Sequence, residues 1–232
     1  MKILGIIPAR GGSKGVPGKN IKMLAGKPLL QYTTDIALQC DLLEKVIVSS
    51  DDDTIIQVAL GLGVSTPFKR PSDLAEDTSS SLSVIQHALK FFKDMSIEFD
   101  AVCLLQVTSP MRSLKFLNAA LKKFNESNTD SLVSVREVPH EYNPHWTFTC
   151  NENEHLEVAT GKNEIVGRRQ DLPKAFHRDG SIYITKTAVI LDNNSLYGKT
   201  TTYIENKKPS FVNIDNLEDW KKAENLFNRL NS

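Results

Sequence analysis

Residues 3 to 20 read ILGIIPARGGSKGVPGKN and predict a strand followed by a loop. The first six residues, Ile3–Pro8, are a continuous apolar run, which is typical of a parallel strand buried on both faces. A glycine-rich loop with three cations follows, namely Arg10, Lys14 and Lys19. Glycines let the backbone turn sharply, and consecutive backbone N–H groups in such a loop form a concave anion site. The stretch therefore predicts a cradle for a triphosphate at the end of a strand.

Two well-known phosphate loops do not fit this stretch. A Walker loop ends in Gly-Lys-Ser/Thr, whereas Lys19 is followed by Asn20. A dinucleotide fingerprint needs Gly-x-Gly-x-x-Gly at the start of a helix, but the glycines here have another spacing and Pro17 disfavours an immediate helix. An ordinary flexible loop with solvated lysines is the remaining alternative. Four glycines and three cations together at a strand end favour the cradle.

The bulk composition indicates a globular protein with no general attraction to polyanions. The chain has 232 residues, of which 40% are hydrophobic and 24% charged, and its formal net charge is +0. These values predict one domain and neither a nucleic-acid nor a membrane partner, so anion binding must be local. No apolar run approaches the ~18 residues of a membrane span. The three cysteines show no zinc spacing and no secretory signal is evident, so we expect a cytoplasmic protein.

Strand and helix patterns alternate along most of the chain. Such an order predicts an α/β fold with a mostly parallel sheet and helices on both faces. The expected strands are Ile3–Pro8, Lys45–Ser50, Ala101–Val107, Asp130–Val135 and Ile182–Thr185. The expected helices are 28–39, with Pro28 as its first residue, 53–62, 79–93, 113–124 and 216–230.

Ligands of such sheets bind at the carboxyl ends of the strands. The glycine-rich loop, 50–52, 106–112 and 136–138 all fall at such ends, so we expect one site there. Residues 137–180 are rich in Pro, Asn, His and charged residues and predict loops and short strands, with a turn at Asn151–Glu154. The five histidines lack metal-ligand spacing.

Several motifs resemble, in order, those of the N-acylneuraminate cytidylyltransferases, also called CMP-sialic acid synthetases. The resemblance covers nearly the whole chain, and an ordered set of motifs is more specific than any one of them. The motifs are the glycine-rich loop, Arg70-Pro71, Asp77–Ser81 (DTSSS), Leu105–Arg112 (LQVTSPMR), Arg168–Pro173 (RRQDLP), Asp179–Ile184 (DGSIYI) and Ile214-Asp215.

The resemblance implies a Rossmann-like fold of the nucleotide-diphospho-sugar transferase type. It implies one cytidylyltransferase domain over 1–232, with a dimerisation and sugar-pocket subdomain at 137–180 that exchanges with the partner in a homodimer. The implied substrates are CTP and an acidic nine-carbon keto-sugar. The implied cofactor is Mg²⁺ or Mn²⁺.

The resemblance also assigns nucleotide-binding positions. Arg10, Lys14, Lys19 and Asp215 are the expected catalytic residues. The triphosphate and base contacts fall on Ala9, Arg10, Gly11, Gly12, Ser13, Lys14, Lys19, Asn20, Arg70, Ser80 and Ser81. Plainer alternatives are a surface turn at Arg70-Pro71 and a helix cap at the serines.

The metal site departs from the family pattern. Asp215 matches the metal-binding aspartate, but Asn213 stands where many relatives have a second one. Asn213 offers an oxygen without a charge, so it is an open question whether it ligates metal or whether a second metal binds. The alternative for Asp215 is an acid near the N-terminus of the last helix.

The resemblance assigns the sugar to Gln106, Arg169, Gln170 and Tyr183, with Arg169 on the sugar carboxylate. A surface salt bridge is the plainer role of Arg169. Relatives that use N-acetylneuraminate often carry a lysine near His145-Trp146. The aromatic Trp146 therefore suggests a more deoxygenated sugar.

The predicted function is transfer of CMP from CTP to the anomeric hydroxyl of N-acetylneuraminate or a relative, with release of pyrophosphate. Legionaminate, pseudaminate and a keto-deoxy-octonate are alternative acceptors. A non-catalytic nucleotide-binding module is the alternative of another class. The sequence identifies no general base.

Overall fold

The computed structural model describes residues 1–162 and 164–231. Residue 163 of the predicted subdomain 137–180 and residue 232 of the predicted domain 1–232 therefore lie outside the described residues. The centre of the structure is a six-stranded sheet in the order β10-β6-β9-β5-β1-β4. The strands are β1 (Ile3–Pro8), β4 (Lys45–Ser49), β5 (Ala101–Leu105), β6 (Ser131–Glu137), β9 (Phe176–Lys186) and β10 (Thr201–Glu205). The helices are α1 (Leu29–Leu38), α2 (Asp53–Gly61), α3 (Ser81–Asp94), α4 (Leu114–Glu126), α5 (Thr187–Asp192) and α6 (Leu217–Asn231).

The sheet is mostly parallel, as the sequence predicts. β1 pairs in parallel with β4 and β5, and β6 pairs in parallel with β10. β9 is antiparallel to both of its neighbours, β5 and β6. The mixed sheet with flanking helices confirms the predicted fold class.

Both faces of the sheet are buried because apolar residues stand at successive positions of its central strands. Along β1, Ile3 and Ile7 face one core, and Leu4 and Ile6 face the other. This alternation is the period of two that a pleated strand imposes. The first core packs against α1, α2, α4 and α6, and the second packs against α3 and α5.

Local capping chemistry sets several helix starts. The Asp52 carboxylate accepts from the N–H groups of Thr54 and Ile55, and Ser80 and Ser113 cap α3 and α4 in the same way. Helix α3 therefore begins at Ser81, two residues after the predicted start. Pro28 precedes α1 rather than opening it, because it pairs with Met23 in a short ribbon of β2 (Met23–Leu24) and β3 (Lys27–Pro28).

Two strands differ from the expectation. β9 begins at Phe176, six residues before the predicted Ile182, and β10 was not predicted. β10 lies at the sheet edge and contains no buried residue, so it lacks the apolar run that marks an inner strand. Between β6 and β9, a hairpin forms from β7 (Phe148–Cys150) and β8 (Leu156–Val158), joined across the predicted turn. No described helix has the length and apolarity required to cross a membrane.

Candidate active site

A cleft of about 440 Å³ opens at the carboxyl ends of β1 and β5. It is the place that an open α/β sheet offers to a ligand. Residues from the glycine-rich loop, the segment before α3, the end of β5 and the segment before α6 line it. They are Pro8, Arg10, Ser13, Lys14, Gly15, Lys19, Asn20, Arg70, Leu74, Glu76, Asp77, Ser79, Ser81, Val84, Gln106, Val107, Thr108, Asn213 and Asp215.

The glycine-rich loop is fixed at several points by hydrogen bonds. The N–H of Ala9 donates to the Ser49 carbonyl at 3.0 Å, and the N–H of Gly11 donates to Asp51 Oδ1 at 3.1 Å. Asn20, which is buried, donates from Nδ2 to the carbonyl oxygen of Arg10 at 2.8 Å. Asn20 therefore closes the base of the loop and holds the carbonyl from which the Arg10 side chain departs.

Gly15 lies directly against the segment that precedes α6. A β-carbon on Gly15 would overlap the carbonyl oxygen of Asp215, whereas one on Gly12 would meet open space. The glycine at position 15 is therefore required by close approach of two backbones. This contact brings the loop cations and Asp215 into one cleft although 200 residues separate them in the chain.

Two of the three loop cations share an anionic partner. Arg10 Nη2 lies 2.6 Å from Asp77 Oδ1, and Lys14 Nζ forms an ion pair with the other carboxylate oxygen. Hydrogen bonds from Lys14 and Arg10 hold the pKa of the Asp77 carboxyl below its ordinary value. The cations are thus oriented toward a carboxylate, which shares with a phosphate a negative charge and oxygen atoms that accept hydrogen bonds.

The third cation is placed differently. Lys19 is half-buried, and its Nζ donates to the carbonyl of Ile214 at 3.0 Å. Burial lowers the pKa of Lys19 from that of an ordinary lysine, and the nearby Asp215 carboxylate opposes this effect. Lys19 therefore adds positive charge on the side of the cleft where Asp215 lies.

Arg70 is held rigidly at the wall of the cleft. The backbone N–H of Arg70 donates to the Ser50 carbonyl at 2.8 Å, and its guanidinium Nη2 lies 3.4 Å from Asp51 Oδ1. The side chain is buried, and within the described residues its Nε has no hydrogen-bond partner. Burial lowers the pKa of Arg70, while Asp51 opposes that change. A rigid guanidinium with a free donor suits recognition of an acceptor on a ligand.

Asn213 and Asp215 lie side by side in the cleft. Asn213 Nδ2 donates to Asp215 Oδ2 at 2.6 Å, and Asn213 Oδ1 is a buried acceptor without a partner in the described residues. Carboxylate and amide oxygens fit Mg²⁺, which commonly takes one or two protein oxygens and completes its shell with phosphate and water. No group of three His, Cys, Asp or Glu side chains with metal-site geometry occurs among the described residues.

The predicted sugar-binding residues are not all in this cleft. Gln106 lines it. Arg169 and Gln170 are exposed in a short 3₁₀ helix. Arg169 lines a separate cavity of about 400 Å³, together with Glu137 at the end of β6 and residues just before β9. Tyr183 is buried in the core beneath α3 and pairs with Leu104. Burial raises the pKa of the Tyr183 phenol.

The predicted nucleotide-binding residues also divide. Ser13, Asn20 and Ser81 line the cleft with the cations and Arg70. Ala9 is buried in the core, Gly11 and Gly12 lie on the loop outside the lining, and Ser80 uses its hydroxyl oxygen to cap α3. Trp146 lies elsewhere, in a depression with Phe148 and Ile165, where its indole N–H donates to the Val166 carbonyl at 2.6 Å.

Asp77, Glu76 and Ser79 line the cleft without having been assigned a role from the sequence. They stand in or beside the motif Asp77–Ser81, from which only the last two serines were selected. Charge was the signal that could have identified Asp77. In a chain of zero net charge, three clustered cations favour an acidic partner, and Asp77 is the acid nearest to the serine run at 79–81. A spacing of 63 residues between Lys14 and Asp77 hid the pairing.

Comparison with known proteins gives the same family throughout. A cytidylyltransferase family model matches residues 4–229. A pseudaminic acid cytidylyltransferase of Campylobacter jejuni is 34% identical over 227 residues, covering 98% of this chain and 97% of the relative. A CMP-N,N'-diacetyllegionaminic acid synthase of Legionella pneumophila is 35% identical over 236 residues, covering 97% and 96%. An N-acylneuraminate cytidylyltransferase of Streptococcus agalactiae is 31% identical, covering 95% of this chain and 52% of the relative.

The fold also resembles that of a solved structure. A solved structure of CMP:2-keto-3-deoxy-manno-octonic acid synthetase in complex with CTP superposes with a TM-score of 0.73 at 18% identity, covering 99% of this chain and all of that one. The family model and the sequence relatives confirm the resemblance inferred from the motifs. The chain belongs to the cytidylyltransferase family.

Proposed function

We propose that this protein transfers CMP from CTP to the anomeric hydroxyl of a nonulosonate sugar, N-acetylneuraminate or a relative of it. The observation that carries the proposal is the convergence of Arg10, Lys14 and Lys19 with Asp215 in one cleft. Membership of the cytidylyltransferase family supports CTP as the nucleotide.

In the proposed reaction the anomeric oxygen attacks the α-phosphorus of CTP. A new P–O bond forms, the bond from the α-phosphorus to the bridging oxygen breaks, and pyrophosphate leaves. The hydroxyl proton is released. The protein's contribution is to hold the two substrates in line and to neutralise the triphosphate, which are the main needs of such a transfer.

Each side chain has a distinct part in this scheme. Arg10 and Lys14 exchange Asp77 for the β- and γ-phosphates, and Lys19 neutralises charge beside Asp215.

Arg70, with Ser81, offers donors and acceptors to the cytosine base. Asp215, oriented by Asn213, would hold Mg²⁺ or Mn²⁺, which supplies charge neutralisation at the phosphates. Gln106 marks the end of the cleft at which the sugar enters.

The acceptor sugar is the finer part of the proposal. Two close relatives are named for pseudaminic and legionaminic acids, and a third for N-acylneuraminate. The Trp146 N–H is engaged by a backbone carbonyl, so the tryptophan would offer a sugar only its apolar face. Trp146 lies outside the cleft of its own chain, so it would meet the sugar only in a dimer; there its apolar face favours a deoxygenated nonulosonate, and equal turnover of deoxy and ordinary sialic acids would contradict that preference.

We further propose that the protein is a cytoplasmic homodimer in which residues 137–180 of one protomer meet the other. That segment exposes Tyr142, Phe148, Leu156 and Ile165, which are large apolar side chains. Phe148 and Ile165 line one depression, and such a cluster of exposed apolar side chains is typical of a protein–protein contact. The cysteines Cys40, Cys103 and Cys150 are all free, as expected in a reducing compartment.

The decisive experiment is pyrophosphate release with CTP and Mg²⁺ against N-acetylneuraminate, legionaminate, pseudaminate and a keto-deoxy-octonate. Release with one acid establishes the transferase and its acceptor. An Asp215→Asn variant should lose release while still binding CTP without metal. Intact CTP binding with no release from any acid would reject the proposal and favour a non-catalytic nucleotide-binding module, for which Asn213 is the best support.

A further inference from the structure

A buried polar network lies beneath the sugar end of the cleft, outside the residues assigned to either substrate. Its two charged members are Arg112, in the segment between β5 and α4, and Asp179, in β9. Both are almost fully buried, with 6% and 3% of their surface exposed. Buried charges are rare because desolvation is costly, so a buried pair calls for a structural or functional explanation.

Arg112 joins three elements through its guanidinium. Nη2 donates to the carbonyl oxygens of Gln106 at 2.8 Å and Ser181 at 2.7 Å. Nε donates to the Ser181 carbonyl at 3.0 Å and its hydroxyl at 3.2 Å, and Nη1 donates to the Thr33 hydroxyl at 3.2 Å. Burial lowers the pKa of Arg112 to about 10, so the group stays protonated at neutral pH.

Asp179 holds the other side of the same segment. Its Oδ1 accepts from the Ser181 N–H at 2.9 Å and from the Ser134 hydroxyl at 2.5 Å, and its Oδ2 accepts from Asn206 Nδ2 at 2.8 Å. Ser181 therefore connects the two charges, since its N–H binds Asp179 and its carbonyl binds Arg112.

The segment they hold is a bulge in β9. The β6–β9 pairing shifts register between Val133 and Val135, so that residues 179–182 bend out of the ladder. Ser134 fills the gap, because its Oγ accepts from the Ile182 N–H at 2.7 Å. Gly180, at the tip, has a φ of +76°, a left-handed conformation that favours glycine. Bulges of this kind re-aim side chains near functional sites.

The bulge supports two cleft residues directly. A β-carbon on Gly180 would lie 3.2 Å from Gln106 Oε1 and 3.3 Å from Asn213 Oδ1. Both amide oxygens thus rest against the bare face of Gly180, and Asn213 Oδ1 is the buried acceptor that lacks a partner in the described chain. The position of the bulge therefore sets where these two acceptors stand.

We propose that Arg112, Asp179 and Ser134 form a positioning network that holds the β9 bulge and so places Gln106 for the sugar and Asn213 beside Asp215. None of the three residues lines the cleft. The proposal rests on the proposed function, because it assigns the sugar to the cleft end that Gln106 lines. The loop cations that would bind the triphosphate, by contrast, are held by the glycine-rich loop, so metal-free binding of CTP should not depend on the network.

The test compares two serines of the same strand. Ser134→Ala removes the hydroxyl that fills the bulge. Ser131→Ala is the matched control, since Ser131 is equally buried in β6 but bonds instead to the Tyr197 carbonyl at 2.6 Å and the Thr201 hydroxyl at 2.9 Å. Steady-state pyrophosphate release gives KM for the accepted sugar, and calorimetry without divalent metal gives Kd for CTP.

We expect Ser134→Ala to raise the KM for the sugar by about tenfold, because small displacements of positioning groups are costly, with the Kd for CTP unchanged. Ser131→Ala should lower the unfolding temperature alone. Arg112→Lys keeps the positive charge but loses the several donors of the planar guanidinium. If this variant folds, it should raise the KM for the sugar in the same way. Equal KM values for the two serine variants, or a parallel rise of KM and the CTP Kd, would overturn the network's role. Absence of release by the unaltered protein would instead refute the proposed function, and this proposal with it.

Discussion

Asp77 is the residue whose contacts bear most on how a polyphosphate enters the cleft. It holds Arg10 and Lys14 through its two carboxylate oxygens. A triphosphate that binds these cations must displace the carboxylate. Asp77 thus competes with the ligand while keeping the cations oriented between binding events.

Replacing Asp77 by asparagine should raise the affinity for inorganic tripolyphosphate by about two- to fivefold, since exposed ion pairs are individually weak. Glu76→Gln is the matched control: Glu76 lines the same cleft and has no ion pair in the described structure. Calorimetry at low ionic strength measures both variants. An equal gain in the two would reduce the effect to net charge, and weaker binding by Asp77→Asn would contradict displacement.

Lys19 gives a pH dependence with a definite sign. Burial lowers its pKa, and a lysine loses its positive charge as the pH rises through its pKa. CTP affinity should therefore be constant at lower pH and decline at alkaline pH below the ordinary lysine value of 10.5. Lys19→Arg should shift that decline to higher pH. Fluorescence or calorimetric titration of CTP from neutral to alkaline pH checks it, and an identical profile for both proteins would exclude Lys19.

The cations of the loop could be predicted from the sequence because they stand close together in the segment that directly follows a strand. The pairing of Asp77 with Arg10 could not, nor could the bonds from Arg112 to Ser181 and Thr33, because these partners are 67, 69 and 79 residues apart. Such pairings depend on tertiary structure and leave no local periodicity. Tyr183 shows the converse: its motif matches the family, but strand alternation directs its side chain into the core beneath α3.

At the scale of elements, the glycine-rich loop depends on its contact with the segment before α6. Ile214 is tied to the end of β5 by its N–H, which donates to the Thr108 carbonyl at 2.9 Å, and Lys19 binds the Ile214 carbonyl. The loop and this segment therefore form a single wall of the cleft.

Gly15→Ala should push the glycine-rich loop away from the segment before α6, because the added methyl group would overlap the Asp215 carbonyl. We expect about a tenfold loss of CTP affinity in the presence of Mg²⁺. Gly12→Ala places the same methyl group in open space and should bind CTP within about twofold of the unaltered protein. Calorimetry compares the two, and equal affinities would show that the backbone contact is dispensable.

The inner elements follow from hydrophobic period, which is why most predicted helices and strands agree with the structure to within two residues. β10 fails this rule because it carries no buried run, unlike β4 at the other edge, and the early part of β9 fails it because polar bulge residues interrupt the alternation. In both places tertiary hydrogen bonds, rather than local preference, decide the structure.

At the scale of the whole molecule, the exposed apolar cluster of residues 137–180 is the surface through which two copies would associate. Phe148 stands in β7, opposite Val158, with 46% of its surface exposed. A charge at this position would be buried against the partner without compensation.

Phe148→Glu should therefore convert a dimer into a monomer, as measured by sedimentation velocity. Met95→Glu is the control, because Met95 is a large apolar residue that is 57% exposed at the end of α3, outside the cluster. Monomeric behaviour of the unaltered protein, or equal dissociation by both substitutions, would refute the proposed contact.

The placement of β9 has a consequence for the order of folding. Among the strands of the described residues, it alone pairs with both halves of the sheet, β4-β1-β5 on one side and β6-β10 on the other. The halves cannot join until the chain beyond residue 176 arrives, and closing so long a loop is slow. We expect pulse-labelling hydrogen exchange to protect β1 and β4 before β6 and β10, and simultaneous protection would contradict it. The nucleotide end would then assemble first, and the sugar end would form only when β9 completes the sheet.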